Sequence, residues 1–395
     1  MYMTLRRDGT IFRWAWASVA GDIVDVAVLF VGGVGETIKC AGKVNNATNV
    51  IDAAKQSNLE SGEENDGMVL NINEVITDSY ILKEGYIYRD GFVFVEGEEN
   101  PVIYNRLLIR VPKEAREDAI MAGKSWRTID EHITLINQHK IEKLLVICDD
   151  LKFILDCSSV TDIEIWPSYS APNGFDYSYL YKMPNLKTVS CRTVYGGYEE
   201  NRTTVDYSQI NGLEEIIMHD NYGHKGYKEL STLKKINIIG NKKINNFTDV
   251  TSSVNMEEVT IFECNIRELS GIEKLHNIKE LTLWHNYSLN DISALEHVSN
   301  TLKELDIEAC SKITDFSVLK KLVNLEFLTL EGNNKIPNLD FLQNMKKLKF
   351  FSFTMNIEDG KLDLCMDIPY VSCRNRKHYN LKDDELPKEL PFVHE

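Results

Sequence analysis

From Ile141 onward the sequence stacks on one short pattern, apolar at positions one, four and six and Asn or Cys at position nine. The clearest lines are LKKINIIGNKKI, MEEVTIFECNI, IKELTLWHNYSL, LKELDIEACSKI, LEFLTLEGNNKI and LKFFSFTMNI. They begin at residues 233, 256, 278, 302, 325 and 348, with spacings of 23, 22, 24, 23 and 23. Weaker copies begin at Ile141, Val160, Leu186 and Leu213, so about ten units fill residues 141–366. A unit this short cannot bury its own apolar face, and it becomes stable only by stacking on its neighbours. Positions three to seven then read as a strand in a parallel sheet, with positions four and six turned into a shared core.

A period of this length falls in the window of about 20–29 residues that marks leucine-rich repeats. The chain resembles that superfamily, in its short bacterial, internalin-like form, over somewhat more than half its length. The resemblance implies an α/β solenoid: a parallel sheet on the concave face, where ligands of such proteins usually bind, and short helices or 3-10 turns on the convex face. The groups Ile292/Leu295/Val298, Phe316/Leu319/Leu322 and Leu339/Leu342/Met345 have the spacing of helical turns there. Ser293-Ala-Leu-Glu296 has the form of a capping box.

Position nine falls at the turn after each strand, where a side chain can bond to backbone left open in adjacent coils. The expected structural ladder is Asn221, Asn241, Cys264, Asn286, Cys310, Asn333 and Asn356. Buried Cys behaves as a small hydrophobe, so a structural role for Cys264 and Cys310 is expected over a metal or redox one.

Outside the repeats, residues 68–112 hold β-rich runs broken by Lys83-Glu84-Gly85, Arg89-Asp90-Gly91 and Gly97-Glu98-Glu99-Asn100, the pattern of a small antiparallel sheet. Residues 112–140, with Ile129, Ile133 and Ile136 in helical spacing, are expected to cap the open end of the solenoid. The expected division is 1–67 as a helical or flexible leader, 68–140 as an N-terminal β/α cap, 141–366 as repeats and 367–395 as a closing cap or tail. Within the leader, Gly21 to Lys55 resembles the helical segment that precedes the toxin domain in bacterial polymorphic toxins. The match lies in its Gly-Asp opening, its core from Phe30 to Glu36 and its Ala/Lys/Asn/Asp tail. No toxin domain follows; after an acidic linker, Leu59 to Gly67, comes Met68, which can itself be an initiation codon.

Composition narrows the function. Of 395 residues, 44 are Lys or Arg and 60 are Asp or Glu, a net charge of −16. This argues against nucleic acid, whose phosphates call for clustered basic residues, and favours a basic or neutral partner. The eight cysteines are scattered without metal spacing, as expected of reduced thiols. The most apolar run, Ile11 to Gly35, is interrupted by Asp22 and Asp25, short of the ~20 apolar residues that a membrane helix needs. The Gly32-Gly33-Val34-Gly35 stretch lacks the Gly-Lys-Ser/Thr of a phosphate loop. A cytoplasmic protein, monomeric when free, with no cofactor, no metal and no catalytic residue is expected.

What remains is the concave face, at positions three, five, seven and eight. In the units starting at 256, 278, 302 and 325 these hold seven acids and no Lys or Arg. The candidate partner-binding residues are Trp166, Glu258, Phe262, Glu280, Trp284, Glu304, Asp306, Glu308 and Glu331. Aromatics at exposed strand positions would form an interface patch. The expected function is a non-enzymatic protein-binding module for a basic partner. Joined to the leader resemblance, this suggests an immunity-type protein facing a basic toxin domain. The alternative is a delivered effector whose repeats read a host or competitor target.

Overall fold

Eleven short strands pair in parallel, in chain order, one per coil. They are β1 (Lys143–Cys148), β2 (Asp162–Pro167), β3 (Thr188–Cys191), β4 (Glu215–His219), β5 (Lys235–Ile239) and β6 (Glu258–Phe262). The series continues with β7 (Glu280–Trp284), β8 (Glu304–Glu308), β9 (Phe327–Glu331), β10 (Phe350–Phe353) and β11 (Tyr370–Cys373). The computed structural model describes the backbone of strands between residues 4 and 29 and between 86 and 110, and residues 128–167, 175–191, 204–219 and 224–389. The chain divides into two compact units, residues 108–391 and residues 1–107 with 392–395.

In the larger unit the inward positions stack in register. Ile236, Val259, Leu281, Leu305, Leu328 and Phe351 form one column, and Ile238, Ile261, Leu283, Ile307, Leu330 and Phe353 the next. All are buried to 2% exposure or less. At about 25 cal/mol per Å² of apolar surface, each such side chain contributes about 1.5–3 kcal/mol. The fold is a leucine-rich repeat solenoid, as the period implies.

The convex side is built from 3-10 turns, among them Phe247–Asp249, Ile272–Lys274, Ser293–Val298, Ser317–Lys321 and Asp340–Asn344. Their start signal differs from the expected capping box. Ser293 makes no cap; Asp291 Oδ1 accepts the Ser293 backbone N–H at 2.8 Å instead. The same Asx turn recurs at Asp176, Asp206, Asn246, Asp315 and Asn338, each accepting from the backbone N–H two residues on. Among the described residues, the one 3-10 turn with an N3 contact is at the C-terminal end, where Glu385 Oε2 accepts the Lys382 N–H at 2.6 Å; along the repeats the Asx geometry takes its place.

Helix α1 (Ile129–Gln138) precedes β1 and carries a true capping box, with Glu131 N–H donating to Thr128 Oγ1 and Thr128 N–H to Glu131 Oε2. It buries His132, Leu135 and Ile136, whereas Ile129 of the expected apolar stripe is 38% exposed. At the other end the sheet continues past residue 366 through β11, and residues 374–389 fold back on the last coils. There the buried Tyr379 hydroxyl accepts the Ile357 N–H and donates to the Met355 carbonyl.

Ahead of α1 in the chain, Tyr86–Arg89, Phe92–Val95, Pro101–Ile103 and Arg106–Arg110 pair antiparallel, matching the turns read from the sequence. The helical reading of the leader fails where its backbone is described. Ile11–Ala15 and Val26–Leu29 are antiparallel strands, consistent with the β preference of their aromatic and β-branched residues. The rest of the leader resemblance and the acidic linker lie outside the described residues.

Candidate functional site

The position-nine ladder works by reaching one coil back. Asn286 Nδ2 donates to the Ile261 carbonyl at 2.8 Å, and Asn286 Oδ1 accepts the Cys264 backbone N–H at 3.0 Å. The thiols of Cys264 and Cys310 donate to the equivalent carbonyls, Ile238 at 3.6 Å and Leu283 at 3.3 Å. Burial pushes both thiols up to about 12, which keeps the S–H that this donation needs. Asn241 is buried and accepts the Lys243 N–H. Two ladder positions need correction. Asn333 is exposed, and Asn334 takes the buried place, donating to the Cys310 and Ile313 carbonyls. Asn356 is only half-buried, in a short bridge to Lys335, while Met355 occupies the interior. Asn221 lies outside the described residues.

Position eight, just before the ladder, is left-handed in five successive coils: Gly240, Glu263, His285, Ala309 and Gly332 all have positive φ. The conformation lets each of the first four N–H groups donate to the carbonyl that ends the next strand, as from His285 to Glu308 at 2.8 Å. Three of the five are not glycine, so the backbone stores strain beside the concave face.

On that face the register sets up three columns. Glu258, Glu280 and Glu304 run into Phe327 and Phe350; Thr260, Thr282, Asp306, Thr329 and Ser352 lie beside them; Phe262, Trp284, Glu308 and Glu331 form the third. The aromatic patch is less open than the sequence suggests: Phe262 and Trp284 are half-buried and meet edge to face, with ring centroids 6.5 Å apart. The strand β2 carries Trp166, whose side chain lies outside the described residues.

The predicted acids divide into two groups. Most charge on the sheet is compensated between coils. Glu258 pairs with Lys235 at 2.6 Å, and at position two Glu214 pairs with Lys234, Glu257 with Lys279, and Glu326 with both Lys303 and Lys349. The sequence holds Lys or Glu at position two of every unit but the one starting at Val160, which has Thr161. Glu280 and Glu304 are half-buried in the same column as Glu258.

Asp306, Glu308 and Glu331 differ. Among the described residues no Lys or Arg lies within ion-pair distance of any of them, and the one cationic neighbour is His285, whose Nε2 is 3.3 Å from Glu308 Oε1. Glu308 raises the pKa of His285, which also stands edge-on to Phe262 and shares a 2.9 Å hydrogen bond between Nδ1 and the Tyr287 hydroxyl. Asp306 and Glu331 are each 4% exposed. Burial, with Glu308 and Glu331 adding repulsion, pushes Asp306 up to about 8 despite the facing Trp284 indole. Burial and Glu308 push Glu331 up to about 7 against the Ser352 hydroxyl. Trp284 Nε1, Asp306 Oδ1 and Glu331 Oε2 are buried without a completed hydrogen bond. Sequence reading took these three acids as partner-binding candidates on the open face but did not count His285 and Tyr287 among the site residues; their signal was only an aromatic and an imidazole flanking the ladder Asn.

Among the described residues no three His, Cys, Asp or Glu side chains could hold a metal ion, and no helix is long and apolar enough to cross a membrane. No protein-family model and no curated protein matches the sequence. Among solved structures the chain is similar to an internalin from Listeria monocytogenes at 11% identity, covering 67% of this chain and 77% of that one with a TM-score of 0.35. It is also similar to internalin C2 of the same organism, at 20% identity, 52% and 80% coverage and a TM-score of 0.32. A leucine-rich repeat protein of Leptospira interrogans matches at 12% identity, 66% and 84% coverage and a TM-score of 0.36.

Proposed function

We propose that this leucine-rich repeat solenoid is a non-enzymatic protein-binding module that docks a basic partner on its concave face, around Trp284, Asp306, Glu308 and Glu331. One observation carries the reading: Glu258 on this face and Glu214, Glu257 and Glu326 at position two each pair with a lysine of a neighbouring coil, and among the described residues none pairs with these three acids. Leaving carboxylates unmatched beside half-buried aromatics is costly to the fold and favourable to a cationic surface that arrives with its own charges. The resemblance of residues 21–55 to a pre-toxin leader supports a finer version, an immunity-type protein that blocks a basic toxin domain sterically.

The test is a quantitative pull-down with the wild-type chain, Trp284→Ala and Glu308→Lys, each checked for native circular dichroism. A partner retained by wild type and lost by both variants supports the docking face. Equal retention by folded variants overturns it. For the finer version, co-expression with a candidate toxin domain should rescue growth only with the wild-type chain.

A further inference from the structure

The uncompensated acids have a geometry more specific than a negative patch. Glu308 and Glu331 are register partners on adjacent strands, about 4.8 Å apart at the backbone, and Asp306 lies two residues from Glu308 on the same face, about 6.6 Å along β8. Trp284 is the register partner of Glu308 on the other side. Thus one indole and three carboxyls surround a single spot. Glu308 is the open member, at 19% side-chain exposure, with Asp306 and Glu331 buried behind it. Two of these carboxyls have a buried oxygen without a completed hydrogen bond, and the buried indole N–H, which faces Asp306, completes none either.

A metal ion does not suit this spread of oxygens, since no three of the described acidic, His or Cys groups could close on one. A planar guanidinium does. It offers five donors in a fixed fork, bridges carboxylates bidentately and stacks on aromatic rings. We propose that Trp284, Asp306, Glu308 and Glu331 form a slot that takes one arginine side chain of the partner as its anchor. The proposal rests on the docking face described above and names the group that this face reads.

The groups that face the slot give it a pH signature. Asp306 meets Thr282 and Trp284 from β7, Thr329 and Glu331 from β9, Glu308 on its own strand and the Cys310 thiol after it. Glu331 meets Glu308 and Ser352, and Glu308 meets His285. Burial holds protons on Asp306 up to about 8 and on Glu331 up to about 7, so an entering guanidinium must displace them. Binding then strengthens as the pH rises from 6 to 8.

The experiment uses the full chain and a blocked Gly-Arg-Gly tripeptide, with the neutral citrulline analogue as control. The five tryptophans give five indole N–H signals in a nitrogen-edited NMR spectrum, and Trp284→Phe identifies the one that matters. The expected result is a saturable shift of that signal with the arginine peptide, at least tenfold tighter at pH 8 than at pH 6. No shift is expected with citrulline, and at least a tenfold weaker response in Asp306→Asn/Glu331→Gln with native circular dichroism. Equal responses to arginine and citrulline, or a folded double variant that binds within twofold of wild type, overturn the slot. The pull-down fails independently: a partner insensitive to Glu308→Lys removes the docking reading even if the slot discriminates arginine. A sensitive partner with no arginine discrimination removes only the slot.

Discussion

Asn286 Oδ1 accepts the backbone N–H of Cys264 at 3.0 Å, from the coil that follows it. Both groups are buried, so no water can replace the contact once it is cut.

Asn286→Ala therefore strands the Cys264 N–H and the Ile261 carbonyl together. The expected loss is about 2–4 kcal/mol, from two buried unsatisfied backbone groups. Asn286→Cys should cost less, because a thiol already serves the carbonyl bond at positions 264 and 310. Urea unfolding of the three proteins measures both effects.

Ala309 has φ of +53° and a side chain too small to bind anything. Ala309→Gly should raise stability by about 1 kcal/mol, the reverse of the usual cost of glycine, because a left-handed alanine is strained. Ala309→Val should lower it by more than that. Thermal unfolding at one pH decides the sign.

Asp306 makes stability fall as pH rises. Its folded pKa, about 8, is above the ordinary value of 3.8, so the folded state holds the proton more tightly across that window. Removing the acid in Asp306→Asn should leave stability unchanged below pH 4 and raise it by on the order of 5 kcal/mol at pH 8. A variant that gains nothing between pH 4 and 8 would contradict the burial of this carboxyl.

Glu326 has the opposite sign. Burial alone would raise it, but hydrogen bonds and charge from Lys349 and Lys303 outweigh that and hold it at about 2. Its contribution is present above pH 4.5 and is lost as the pH falls toward 2. Glu326→Gln should cost about 1–3 kcal/mol at pH 7 and nothing at pH 2, read from denaturant titrations at the two values.

The repeat period made the solenoid legible because stacking is the one way so short a unit can bury Leu281 and Leu283. The ladder was legible for the same reason at Cys264, Asn286 and Cys310, where five strand residues and one left-handed residue separate the core from the turn. After β9 the left-handed residue is Gly332, whose φ of +139° sends the chain along another path, and the interior place moves to Asn334. Periodicity carries no trace of such a shift. Nor does it separate one acid from another: Glu258 and Asp306 looked alike as outward residues, yet Lys235 neutralises the first and none faces the second. That difference arises between coils, from which residue stands in register.

Each position-nine donor points to the coil made before it, as Cys264 does to Ile238, Asn286 to Ile261 and Cys310 to Leu283. A coil emerging from the ribosome thus carries an open carbonyl until the donor of the following one has been synthesised, 25 to 27 residues later. At about 5–20 residues per second that interval is on the order of one to five seconds. The stack closes in the direction of translation, and a stalled ribosome leaves only the newest coil unlatched.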